Sequence, residues 1–256
     1  MTNDSIVFDR AAGYYDETRG FPPGEDVPAA ALIARAGSLT PESRVLEIGV
    51  GTGRIAVPLL AHLNHSFGVD LSVPMMERLR AKPGSEKISL AISDARRLPF
   101  PTHTFDAMVV VHVFHLIPDM STAVHEAARV VKPVGVMLHC YNERESALEA
   151  LRPDTNPSKG PYDRTHRWNR ITSELEQAGW QHRDTLTHSF PFSQSPAEFV
   201  DYFRARKWSG TWEASEEEHQ KAIAHLEARV NELFPDATAP VEGTMKFKID
   251  VLQPPQ

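Results

Sequence analysis

The chain has 256 residues, 41% hydrophobic and 24% charged, with a formal net charge of -7. That composition is ordinary for a folded protein and excludes a mainly disordered chain. With a pI near 5.9 and scattered lysines and arginines, it offers no field for a phosphate backbone, so nucleic acid is not an expected partner.

The amino terminus, MTNDSIVFDR, lacks the basic start and apolar core of a secretory signal, and apolar runs such as Ala107 to Val111 are too short to cross a bilayer. A cytoplasmic protein without a membrane span is expected. FDRAAGYYDETRG follows, within an amino-terminal helical segment expected over 1–35. From Arg44 to Cys140, short apolar runs alternate with helix-like stretches, the pattern of a parallel sheet with crossover helices. RVLEI, HSFGV, KISLAI, FDAMVVV and VGVMLHC are the candidate strands, the last two nearly continuous in apolar residues, as in strands covered on both faces. Helices are expected from Arg54 to Leu63, Val73 to Ala81 and Asp119 to Val131, the third closed by Lys132 and Pro133.

Beyond Cys140, a polar, proline-rich stretch reads as a partly helical connection. It leads into a helix with Trp168, Ile171, Leu175 and Ala178 on one face and Gly179 as its stop. HRDTLTHSF alternates like a strand. Ser195, Pro196 and Glu198 start one further helix, and Ser215 with Glu218 starts another whose apolar stripe runs Ile223, Leu226, Val230, Leu233. MKFKIDVLQ alternates as a terminal strand. The expected fold is α/β, a doubly wound Rossmann-like sheet. Its core covers 36–193 plus 241–256, and a helical insertion over 194–240 forms a cap above the ligand edge.

Gly49, Gly51 and Gly53 follow the first strand, where a doubly wound sheet has its ligand crevice. Lacking side chains, they allow a tight turn and a close approach of backbone to ligand. The spacing is GxGxG. Dinucleotide loops want GxGxxG or GxGxxA, but Arg54 stands in the last position, which disfavours a nicotinamide-dependent reductase. A Walker loop would need a Lys-Ser/Thr pair that GVGTGRIA lacks. Asp70 ends the second strand at the distance of a nucleoside-binding carboxylate, and its two oxygens can accept from both ribose hydroxyls. Asp94 ends the third, where it can accept from an adenine amino group while the Ala95 N–H donates to a ring nitrogen. One such aspartate is ordinarily a cap or turn residue. Features of this kind at three successive strand ends point to a nucleoside-bearing ligand.

LEIGVGTG (46–53), VDLS (69–72), SDARRLPFPTHTFDAMVVVHVFHLIPD (93–119) and VVKPVGVML (130–138) together resemble the class I S-adenosylmethionine-dependent methyltransferases. The nearest likeness is to the group with quinone-biosynthesis and malonyl-carrier-protein enzymes. The resemblance implies a seven-stranded, mostly parallel sheet with one antiparallel strand, the last two strands matching HRDTLTHSF and MKFKIDVLQ. It places the glycine loop and Glu47 around the methionine portion of the cofactor, Asp70 on the ribose, and Asp94 with Ala95 on the adenine. Leu71, Ser72 and Met75 would flank ribose and adenine. FDRAAGYYDETRG is similar to the group's FDxxAxxYD segment, which folds over the cofactor. There Tyr15 would pack near the sulfonium and Arg19 would pair with the carboxylate; the alternative is a surface helix whose tyrosines pack on the core.

These motifs concern the cofactor, not the acceptor. His112 and His115 follow the fourth strand, and either imidazole would serve as a general base if the acceptor carries a proton that must leave; His112 would alternatively offer its carbonyl to the cofactor. Their HxxH spacing has no third ligand close by, so no metal is expected. Tyr14, Tyr141, Arg204, Trp208 and Trp212 lie where an acceptor pocket would form, and aromatic residues there favour a small organic molecule; for any one of them, packing of the cap onto the sheet is the favoured alternative. The single cysteine, Cys140, reads as a buried, inert thiol. Two functions stay open on these residues: a methyltransferase acting on O, N or C of a small molecule, and a sensor that binds S-adenosylmethionine or its product without turnover.

Overall fold

The computed structural model describes residues 7–155 and 164–255, with the side chains of Arg19, 153–155 and 164–168 outside the described residues. Its elements in chain order are α1 (Tyr15–Arg19), α2 (Asp26–Ala36), β1 (Val45–Ile48), α3 (Ala56–Leu59), β2 (Ser66–Asp70), α4 (Val73–Arg80), β3 (Ile88–Ile92) and β4 (Phe105–Val111). Then follow α5 (Met120–Val130), β5 (Val131–Glu145), α6 (Arg164–Gln177), β6 (Gln181–Gln194), α7 (Pro196–Arg204), α8 (Glu216–Leu233) and β7 (Val241–Gln253). The seven strands form one sheet in the order β3-β2-β1-β4-β5-β7-β6. The pairs from β3 to β5 are parallel. Between β6 and β7 the direction reverses: Arg183 bonds to Gln253, while Thr185, further along β6, bonds back to Asp250. The doubly wound, mostly parallel sheet expected from the sequence is present.

The chain order reverses between β1 and β4, which leaves a crevice outside their carboxyl ends. Both strands are buried along almost their whole length. Leu46, Ile48, Met108 and Val110 pack on one side with Val124 and Ala127 of α5 and Ile171 and Leu175 of α6. On the other side α2 ends at Gly37, where an added Cβ would come within 3.1 Å of Leu138 of β5.

Three elements depart from the sequence reading. The helix expected over 54–63 is one turn, because Ala61 and His62 donate to Pro58 and Leu59 in tighter three-residue steps. Lys132 and Pro133 do not close α5 with a loop; Val131 already pairs with Phe105, so helix passes straight into strand. That strand continues through 141–145, which had read as connection, and a 3-10 segment Ala147–Thr155 follows. The remainder of that connection and the side chain of Trp168 lie outside the described residues.

The chain forms two compact units, Met1–Asn142 with Trp168–His188 and Phe247–Gln256, and Glu143–Arg167 with Ser189–Lys246. The second has its own core of Leu148, Leu151, Phe199, Phe203, Ile223 and Leu226. Reciprocal capping boxes start α7 at Ser195 with Glu198 and α8 at Ser215 with Glu218, each satisfying two otherwise orphaned helix N–H donors. Among the described residues no helix is long and apolar enough to cross a membrane.

At the amino-terminal edge of β4, Phe105 is fully buried and meets Phe67 and Phe100 edge-on at 5.4 and 4.9 Å, under the Arg44 guanidinium. Phe105→Ala should therefore lower the unfolding free energy by about 3–5 kcal/mol in urea denaturation. A loss below about 1 kcal/mol would show that the aromatic cluster re-forms without its central ring.

Candidate active site

The site is built from the loop after β1. Gly49 and Val50 both donate their N–H to the Val69 carbonyl, at 2.8 and 3.0 Å, and Gly51 donates to Asp70 Oδ2 at 2.8 Å. The loop is thereby stitched to the end of β2. Gly49, at φ +69°, is closed by its neighbour: an added Cβ would come within 2.4 Å of Val113 Cγ2, from the segment after β4. Gly51, at φ +52°, is different. A Cβ there would press on the flexible end of Met75, Cε at 3.3 Å, and otherwise meet the Gly49 carbonyl and Asp70 Oδ2 at ordinary contact distances of 3.9 and 4.0 Å. Gly53 packs on Leu79 of α4.

Two carboxylates flank this loop. Asp70 accepts from Ser72 N–H on Oδ1 and from Gly51 N–H on Oδ2, both at 2.8 Å, with the Leu71 N–H contributing as well, which leaves part of its roughly four lone-pair directions for a further donor. Burial raises its pKa, partly offset by those backbone hydrogen bonds. Glu47 is 4% exposed, and its Oε2 has no hydrogen-bond partner. Burial pushes its carboxyl up to about 8, against the opposing pull of Arg54 and the Ala56 N–H; Asp70 adds to the rise. An acceptor left without a donor in the interior is costly, so Glu47 Oε2 marks a place where a ligand proton donor would be welcome.

Asp94 and Ala95 follow β3 after Ser93, whose N–H donates to the Asp70 carbonyl. Ala95 is buried, and Asp94 is held by Arg96 through both backbone and guanidinium. Leu71 and Met75 lie on either side of Ser72, which caps α4 by accepting the Met75 N–H at 3.3 Å. Leu71 is half-buried and Met75 buried.

The sequence reading missed what ties down the amino-terminal segment. Asp9 accepts the Ser72 hydroxyl at 2.6 Å, and Asp16 accepts both the Thr52 hydroxyl of the glycine loop and Lys82 Nζ, the latter at 2.7 Å. The two aspartates stand seven residues apart inside the very stretch that was singled out for its tyrosines. Tyr15 itself packs edge-on against Phe8, with centroids 5.9 Å apart. The Arg19 side chain lies outside the described residues.

Beyond β4, His112 adopts φ +55° and donates its N–H to the Cys140 carbonyl at 3.3 Å. His115 stands in the 3-10 turn Phe114–Leu116, and both histidines are half-buried. His139 of β5 lies between the Phe114 and Tyr141 rings, at 5.5 and 5.7 Å, and burial lowers its pKa to about 4. Cys140 is fully buried, with its thiol pushed up chiefly by desolvation. The candidates in the second unit have partners within that unit: Trp208 lies against Phe199 at 4.9 Å, Trp212 Nε1 donates to the Arg206 carbonyl, and Arg204 pairs with Asp201 and Glu227. Among the described residues no three His, Cys, Asp or Glu side chains gather as a metal ligand set.

Glu47 carries a prediction whose sign follows from its raised pKa. The folded state favours the protonated carboxyl, so its contribution to stability is full below pH 4.5 and is lost as the pH rises towards about 8. Glu47→Gln, which cannot ionise, should gain melting temperature over the parent at pH 8 relative to pH 5. A gap between the two proteins that stays constant across that range in thermal melts would refute the assignment.

Residues 46–139 match the family model described as a methyltransferase domain. The uncharacterized methyltransferase YcgJ of Bacillus subtilis (strain 168) is 32% identical over 166 residues, covering 63% of this chain and 64% of the relative. Its solved structure shares the fold, with a TM-score of 0.58 at 21% identity over 90% of this chain and 99% of that one. A phosphatidylethanolamine N-methyltransferase of Cereibacter sphaeroides is 40% identical over 48% of this chain and 60% of its own length. A demethylmenaquinone methyltransferase of Roseiflexus sp. (strain RS-1) is 29% identical over 79% of this chain and 84% of its own. The chain thus spans less than two thirds of the length of YcgJ and of the phosphatidylethanolamine enzyme. The matched domain runs from β1 to β5, the part of the sheet that bears the glycine loop and the ends of β2 to β4; over that stretch the chain is similar to methyltransferases, and its fold is the one that the solved structure of YcgJ shares.

Proposed function

We propose that the chain binds S-adenosylmethionine outside the carboxyl ends of β1 to β4 and transfers its methyl group to an O, N or C atom of a small organic acceptor. The observation that carries this reading is the pairing of Gly51 with Asp70: a glycine of the loop donates its N–H to a carboxylate whose remaining acceptor capacity faces the same loop. A nucleoside with two vicinal hydroxyls suits that pair, and the orphaned Glu47 Oε2 suits the polar, donor-bearing end of the same ligand.

On this reading Asp70 takes the ribose hydroxyls, and Leu71 and Met75 flank the ribose and adenine. Asp94 accepts from the adenine amino group, and the Ala95 N–H donates to the ring. Gly49, Gly51, Gly53 and Glu47 surround the methionine portion, Tyr15 presents an aromatic face to the sulfonium, and Arg19 pairs with the carboxylate. The cofactor supplies a methyl group already activated on positive sulfur. What the chain supplies is alignment, and prepaid positioning of two reactants contributes on the order of 7–11 kcal/mol. His112 or His115 accepts a proton when the acceptor atom carries one. The relatives' names span a phospholipid nitrogen and a menaquinone precursor, so the chemistry of the acceptor is set outside the cofactor motifs.

Asp70→Ala should weaken S-adenosylhomocysteine binding by roughly tenfold to a hundredfold in calorimetry, since a hydrogen bond to a charged group contributes about 1.5–3 kcal/mol. Unchanged affinity would remove the ribose assignment. Incubating the parent protein with S-adenosylmethionine and a panel of small metabolites should release S-adenosylhomocysteine with at least one acceptor. Binding with no release across the panel would point to a sensor instead.

A further inference from the structure

A carboxylate has two oxygens and about four lone-pair directions. Arg96 meets Asp94 with four contacts: its backbone N–H to Oδ1 at 2.9 Å, Nε to Oδ1 at 3.0 Å and to Oδ2 at 3.2 Å, and Nη2 to Oδ2 at 2.6 Å. Nε–H is one hydrogen shared between the two oxygens, so three hydrogens from a residue only two positions away engage both oxygens and take most of the acceptor capacity of Asp94. The Arg96 hydrogen bonds hold the Asp94 carboxyl below the ordinary range, so it is ionised and can only accept. Asp70 is held instead by backbone N–H groups, those of Ser72 on Oδ1 and Gly51 on Oδ2, with Leu71 contributing a third.

This has a consequence for a purine. Resting on the reading of Asp94 as the acceptor for the adenine amino group, that amino group has to approach an oxygen on which the guanidinium already sits. We propose that Arg96 is a positioning residue that competes with the adenine amino group for Asp94 and so limits how tightly the purine end of the cofactor is held. Removing the side chain leaves the backbone N–H of Arg96 on Oδ1, so Asp94 keeps its orientation while Oδ2 becomes free. Because the pair is about a quarter exposed on both sides, water screens it and its loss costs the fold little.

The test is calorimetry with two ligands, S-adenosylhomocysteine and the analogue whose purine 6-amino group is replaced by hydrogen, on the parent protein, Arg96→Ala and Asp94→Ala. Arg96→Ala should tighten S-adenosylhomocysteine binding about two- to fivefold and leave the deaminated analogue unchanged, as expected for relief from a partly exposed ion pair. Weaker binding of S-adenosylhomocysteine, or an equal shift for both ligands, would overturn the competition. Asp94→Ala should weaken S-adenosylhomocysteine about tenfold or more and spare the analogue. If Asp94→Ala leaves S-adenosylhomocysteine binding unchanged, the adenine reading of Asp94 fails and the inference with it, which is distinct from a failure confined to Arg96.

Discussion

Backbone polarity has to be settled where a strand has stopped and a helix has not yet begun, and in this chain the last two residues of β2 settle it for the loop after β1. The Val69 carbonyl takes two of the loop's N–H groups and the Asp70 carboxylate takes a third. Neither partner belongs to the loop. Its shape is therefore a property of the β1–β2 pairing, whose register sets Ile48 beside Val69 and brings the two strand ends level. The packing of Gly49 on Val113 and of Gly53 on Leu79 then links the same loop to the segment after β4 and to α4. A shift in that register would displace every one of these contacts together, because the backbone donors and the carboxylate are spaced for one alignment only.

Three acids around the crevice belong to one chemical class and sit in three electrostatic states. Glu47 is buried with an empty acceptor and pushed up to about 8; Asp70 is raised less, because backbone N–H groups offset its burial; Asp94 is lowered by Arg96. The difference lies in what each carboxylate is given to compensate the loss of water. A neutral carboxyl near the glycine loop and a fixed anion after β3 present opposite faces to whatever lies between: one can donate as well as accept, the other only accepts.

The sheet was legible because its central strands are covered on both sides. FDAMVVV and VLEI could hardly be placed on a surface, and both prove almost wholly buried. The carboxyl half of β5 was not legible, since YNERE is polar and its partner strand lies a hundred residues further on, where Lys246 meets Glu145. In the site, the glycines and Asp70 announced themselves through local spacing. The tethers of the amino-terminal segment did not: Asp16 reaches Thr52 and Asp9 reaches Ser72 across separations of 36 and 63 residues, and a hydroxyl partner leaves no local pattern. The unpartnered oxygen of Glu47 is a product of packing, which a lone glutamate in an apolar run does not reveal.

His112 is held at φ +55°, a region that costs most side chains free energy and that glycine, asparagine, aspartate and histidine visit more readily. The backbone therefore selects among residues at this position before any chemistry does. Valine, isoleucine or threonine there would strain the turn after β4 and loosen its hydrogen bond to the Cys140 carbonyl. The usable alphabet at position 112 is therefore short, whereas Tyr141, which lies on a regular strand, is under no such backbone restriction.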